Sequence, residues 1–162
     1  MEKTPDFREN ISKAKKEIEL ASHLAYVTYN AVKETKFLLA ISKHIVNSAH
    51  LAIEALLDFE HYYKRIEAFH RSFPTEIMAY KYKVEGRYAL DPKFFRLFQK
   101  LIEIQKFDEA SVSRFKHGDR YILASDDFSM SVLDIDSIKR YLNLAKKFIE
   151  QVDTIIQNES KI

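Results

Sequence analysis

Cysteine is missing from all 162 residues, which removes disulfides, thiolate nucleophiles and Cys-ligated zinc together. Glycine occurs twice and proline three times, so the chain has little capacity for tight turns and favours long helices. Neither a Walker-type loop nor a dinucleotide fingerprint is present, which excludes nucleotide sites of those kinds. No apolar run approaches the roughly 20 residues that a membrane span needs. The opening segment MEKTPDFREN is polar and lacks the apolar core of a signal peptide. These absences lead to the expectation of a cytoplasmic protein with no membrane partner and no cofactor.

What is present is ordinary for a globular chain: 46% hydrophobic and 31% charged residues, with a formal net charge of +2. The length suits one domain over residues 1–162 with a substantial core. The charge is unevenly placed. Residues 1–60 carry a net −1, residues 61–120 a net +5 and residues 121–162 a net −2. A middle third of this kind steers anionic partners, although far less than a dedicated DNA-binding domain does.

Apolar residues recur at steps of three and four along most of the chain. Ile11, Ala14, Ile18, Ala21, Ala25, Thr28 and Val32 predict a first helix over about 5–32, with Thr4 as N-cap before Pro5. Leu38, Ile41, Ile45, Ala49, Ala52, Leu56, Phe59 and Tyr63 predict a second from about Thr35 past Tyr63, antiparallel to the first. Pro74 marks the stop, and Thr75 opens a short helix to about Val84. Asp91-Pro92 pairs a cap with a first helical position ahead of a helix that fades near Phe107. Asp134 or Asp136 caps a last helix whose stripe runs from Ile138 to Ile156.

Residues 112–133 change to a two-residue period. In RYILASDDFSMSVL, a two-residue turn at Asp126-Asp127 pairs Ser125 with Phe128, Leu123 with Met130 and Tyr121 with Val132, all on one face. A turn at His117-Gly118 adds Val112–Phe115 as a third strand, sets Val112 beside Leu123 and Arg114 beside Tyr121, and directs Arg114 toward the helices. The fold class expected is therefore mainly α: an antiparallel up-and-down bundle of four to five helices. A small antiparallel hairpin or three-stranded meander precedes the last helix.

Two spacings of the kind found in metal sites are present. Glu67–His70 has ExxH spacing and Asp58–His61 a related DxxH spacing, but both lie in one segment, whereas a di-metal bundle needs such pairs on separate helices. No metal is expected. His23, His44, His50 and His61 read as helix-flank imidazoles, solvated or held by single hydrogen bonds.

The segment HYYKRIEAFHRSF, residues 61–73, concentrates aromatic and basic residues. One reading is structural, because basic groups at a helix C-terminus complement its dipole. The other is a surface for an anionic partner, with Tyr62 and Tyr63 stacking on bases while Lys64, Arg71, Arg114 and His117 meet phosphates. Within the segment, Arg65 and His70 form an R-x4-H pair at the end of a long second helix. This arrangement resembles the HEPN superfamily. The resemblance implies a four- to five-helix bundle, a homodimer, and either RNA or a nucleotidyltransferase-like protein as partner. It also implies, for members with a working site, metal-independent RNA cleavage, with Arg65 stabilising phosphate charge and His70 as general acid or base. This chain departs from that pattern in having Ile66 after the arginine, and the pair sits on an earlier helix than is usual. On one unbroken helix, five residues would also separate the two side chains by about 140° and 7.5 Å. The expected function is a HEPN-like binding module. A metal-independent endoribonuclease and a purely structural homodimeric adaptor are the alternatives.

Overall fold

A computed structural model of the chain describes residues 6–111, 113–127 and 129–159. The Thr4–Pro5 helix start and the pairings expected of Val112 and Phe128 lie outside these. Helix α1, Phe7–His23, begins where the Asp6 carboxylate accepts the Glu9 N–H at 2.9 Å. It continues through a π-helical turn, Leu24–Thr28, into a last turn, Tyr29–Val32, and ends on Lys33 in the left-handed region (φ 53°). A π turn inserts one extra residue, so the buried stripe passes from Ala25 to Tyr29. Thr28 and Val32, expected inside, lie outside the core, with Val32 49% exposed.

Helix α2, Lys36–Tyr62, runs back along α1. Phe7 meets Phe59 edge-on at 5.3 Å between ring centroids, and Glu17 meets His44 at 2.7 Å. These pairings fix the antiparallel order. Toward its C-terminal end α2 is enclosed on every side: Ala55, Leu56, Leu57, Asp58, Phe59 and Glu60 are all buried. Two carboxylates thus enter a region where only pairing makes charge tolerable.

Helix α3, Phe73–Ala79, is capped by Ser72, and a second π turn, Tyr80–Val84, extends it. Helix α4, Pro92–Ala110, starts at Asp91, whose carboxylate accepts the Lys93 N–H. Helix α5, Ile135–Glu159, starts where Asp134 accepts the Ser137 N–H at 2.9 Å. Tyr80, Phe94 and Phe98 pack edge-on around Phe148 of α5 and join these helices in the core.

Strands β1 (Ser113–His117), β2 (Arg120–Ala124) and β3 (Met130–Leu133) form an antiparallel sheet in the order β1-β2-β3. Its register differs from the expectation. Leu123 pairs with Ser131 and Tyr121 with Leu133, one residue away from the pairing that a two-residue turn would give. The loop is longer because the Asp127 carboxylate accepts from Ser125 Oγ and from the Ser129 N–H, while the Ser125 N–H donates to the Ser129 carbonyl. A one-residue slip exchanges faces. Leu123, Ser131 and Leu133 therefore turn inward and are buried, and Met130 and Val132 lie outward at 59% and 42% exposure. At the other turn Gly118 has φ +64°, and Arg114 pairs with Leu123 instead of Tyr121. That shift of two residues preserves the face, so Arg114 still points toward the helices.

Candidate functional site

The basic segment after α2 is not helical. Tyr63 closes the helix and Lys64 turns left-handed (φ 59°). The Lys64 N–H donates to the His61 carbonyl and the Arg65 N–H to the Glu60 carbonyl, both at 2.9 Å. This is a Schellman closure with lysine at the position that glycine usually fills. The helix therefore ends ahead of Arg65, about ten residues before the stop expected at Pro74.

Arg65 folds back on the helix it leaves. Its Nε donates to Glu60 at 3.0 Å, and its guanidinium lies 5.1 Å from the ring centroids of both Phe59 and Tyr63. Glu60 is fully buried and also receives Arg87 at 3.2 Å and the Tyr88 hydroxyl. The arginine of the R-x4-H pair thus neutralises an interior carboxylate. His70 lies five residues further on in the irregular segment and is exposed.

An open groove of about 610 Å³ follows this turn, lined by His61, Lys64, Arg65, Ile66, Glu67 and Lys83. Arg65 lies in it, whereas His70 does not. Lys64 and Lys83 are exposed. Tyr62 and Tyr63, 49% and 41% exposed, pack edge-on at 5.1 Å next to Phe7 and Phe59. Each keeps part of its ring in solvent. Lys83 was not foreseen, because it arrives from the second π turn and no local pattern links it to residues 61–67. Arg71 was expected to meet phosphate. It forms instead a two-pronged bond to buried Asp58 at 2.6 and 3.3 Å, and its guanidinium lies over the Phe69 ring.

Arg114 and His117 belong to a different region. Arg114 binds the Asp108 carboxylate at 2.9 Å, and Lys43 reaches the same carboxylate at 3.3 Å. Lys43 lies 19 residues before Tyr62, about 28 Å along the helix. The residues expected at an anionic surface therefore divide between two ends of α2, and of them only Lys64 lines the groove, with Tyr62 and Tyr63 preceding it in the chain.

Between the ends lies a cluster that the sequence did not disclose. His50 Nε2 is 2.6 Å from Glu76 Oε2 and 3.0 Å from Glu54 Oε1. His50 and Glu54 share one face of α2 at i, i+4, and α3 brings Glu76 against them. Single hydrogen bonding does hold for His44 with Glu17 and for His61 with the Ile66 carbonyl, but not for His50. Burial by itself lowers the His50 pKa, yet the hydrogen bond and charge of Glu76, with Glu54 adding, outweigh it and raise the value above 6.5. Burial raises Glu54 above its ordinary range, and the nearby Glu76 raises it further, against His50 and Arg71. A signal for this site exists in principle: a buried carboxylate must find a partner. Nothing in one sequence shows that Glu76 is buried.

No helix among the described residues is long and apolar enough to cross a membrane. Compared with protein-family models, with curated proteins and with solved structures, the chain matches none.

Proposed function

We propose that the chain is a HEPN-like helical binding module that takes an anionic partner, RNA first, in the groove beyond α2. The observation that carries this reading is the groove's lining: His61, Lys64, Arg65 and Lys83 face a single acid, Glu67. Tyr62 and Tyr63, partly exposed just before Lys64 in the chain, add faces on which bases stack, and stacking tolerates sequence variation. Binding of this kind releases counterions, so affinity falls steeply with salt. The test is fluorescence anisotropy with a labelled single-stranded RNA. Lys64→Glu with Lys83→Glu should abolish binding while the far-UV circular dichroism spectrum stays unchanged.

The endoribonuclease alternative fits less well, since Arg65 is held by Glu60 and the rings beneath it. It makes a different forecast: RNA cleavage in EDTA that disappears in His70→Ala. The homodimeric adaptor has an observation of its own. Phe115, Ile122 and Val132 align across the outer face of the sheet, and Phe115 and Val132 are 43% and 42% exposed. Sedimentation equilibrium of Val132→Lys against the parent chain decides whether that face joins two copies.

A further inference from the structure

We propose that His50, Glu54 and Glu76 form a binding site for one divalent transition-metal ion, of which Zn2+ is the representative probe. The three side chains each offer a ligand atom, and these atoms lie within 4.8 Å of one another. One imidazole nitrogen and two carboxylate oxygens suit zinc and its neighbours, whereas calcium and magnesium favour oxygen alone. Ligands of a tetrahedral ion held at roughly 2.0–2.2 Å stand about 3.3 Å apart. The present contacts of 2.6 and 3.0 Å would need to open by less than about 1 Å.

Two further observations point to a cation there. Glu76 is fully buried, and its Oε1 has no hydrogen-bond partner among the described residues. A carboxylate so enclosed is costly unless its charge is met. The local charges are also unbalanced. Asp58, one turn beyond Glu54 on α2, takes the two-pronged bond from Arg71, which also pairs with Glu54 at 3.7 Å. Three carboxylates, Glu54, Asp58 and Glu76, thus share one guanidinium and one imidazole, and a divalent ion in place of a proton on the imidazole corrects the deficit. The site is reachable, since the His50 side chain is 36% exposed. The Phe73 ring lies 4.9 Å from the imidazole at 30° and orients it. This inference does not depend on the groove, because His50 precedes His61 by 11 residues, about 16 Å along α2.

The test is isothermal titration calorimetry of the full metal-stripped chain with Zn2+ near pH 7.5, alongside thermal melts with and without the ion. The expected result is one equivalent bound per chain with a raised melting temperature. His50→Ala and Glu54→Gln should each weaken binding at least about tenfold. Glu17→Gln at the similar His44 pair, which lacks a second carboxylate, should leave it unchanged. If His50→Ala does not fold, Glu54→Gln alone decides, as Glu54 reaches the surface. Absence of saturable binding, or binding equally strong in Glu54→Gln, would overturn the proposal.

Discussion

At the scale of single residues, Arg65 and His70 separate cleanly. Removing Arg65 takes one of the cations from buried Glu60, so Arg65→Ala should cost about 2–4 kcal/mol of unfolding free energy. His70→Ala, at an exposed position, should stay within about 0.5 kcal/mol. Urea denaturation of the two variants measures both. A second residue-scale expectation concerns pH. His50 is held above its ordinary 6.5, so its stabilising charge is complete below about pH 6.5 and is lost as pH rises through the folded value. The raised Glu54 acts in the same direction, because its protonated form is favoured in the fold and ionising it on the way up is unfavourable. The metal-free chain should therefore melt at a lower temperature near pH 8 than near pH 6, and His50→Gln should flatten that slope. The residue types were legible in the sequence, but their commitments were not. Arg65, Arg71 and His50 each read as surface groups, whereas each meets a buried acid: Glu60 on the helix just left, Asp58 on the same helix, and Glu76 from α3.

At the scale of elements, periodicity placed the long helices, since a one-sided apolar stripe leaves few alternatives, and Pro74 with Thr75 placed the short α3. What it missed were changes of phase. The π turn at Leu24–Thr28 shifted the inward position from Thr28 to Tyr29, and the Asp127-centred loop moved β3 by one residue. Both insert a residue without disturbing the pattern on either side, so neither leaves a signature in hydrophobicity. The register is checked by backbone nuclear Overhauser effects, which should connect Leu123 with Ser131 rather than with Met130. The end of α2 escaped for a related reason: lysine rarely marks a left-handed closure, and Tyr63 continues the stripe. Lys64→Gly relieves about 1–2 kcal/mol of left-handed strain against about 1 kcal/mol of added unfolded-state freedom. The urea midpoint should rise slightly, by up to about 1 kcal/mol in stability, with an unchanged slope. RNA affinity should fall in the same variant, because a groove cation is lost.

At the scale of the whole molecule, the bundle with a small sheet before its last helix was readable from sequence, down to the capping of α4 by Asp91; for α5 the structure selects Asp134 from the two aspartates offered. The site was readable in part. Lys64 lines one groove beside Arg65, Tyr62 and Tyr63 precede it in the chain, and Arg114 and His117 lie toward the other end of a long helix. Distance along α2 decides this, and composition cannot report it. The picture that results is a central helix whose interior acids hold Arg65 and Arg71 of the basic segment, leaving Lys64 and Lys83 exposed at the groove. The most direct measurement titrates the parent chain into labelled single-stranded RNA in EDTA, at low and at moderate salt, following anisotropy and strand integrity together. The account predicts binding that weakens steeply with salt, vanishes in Lys64→Glu with Lys83→Glu, and leaves the RNA intact. No binding at low salt, or cleavage that depends on His70, would contradict it.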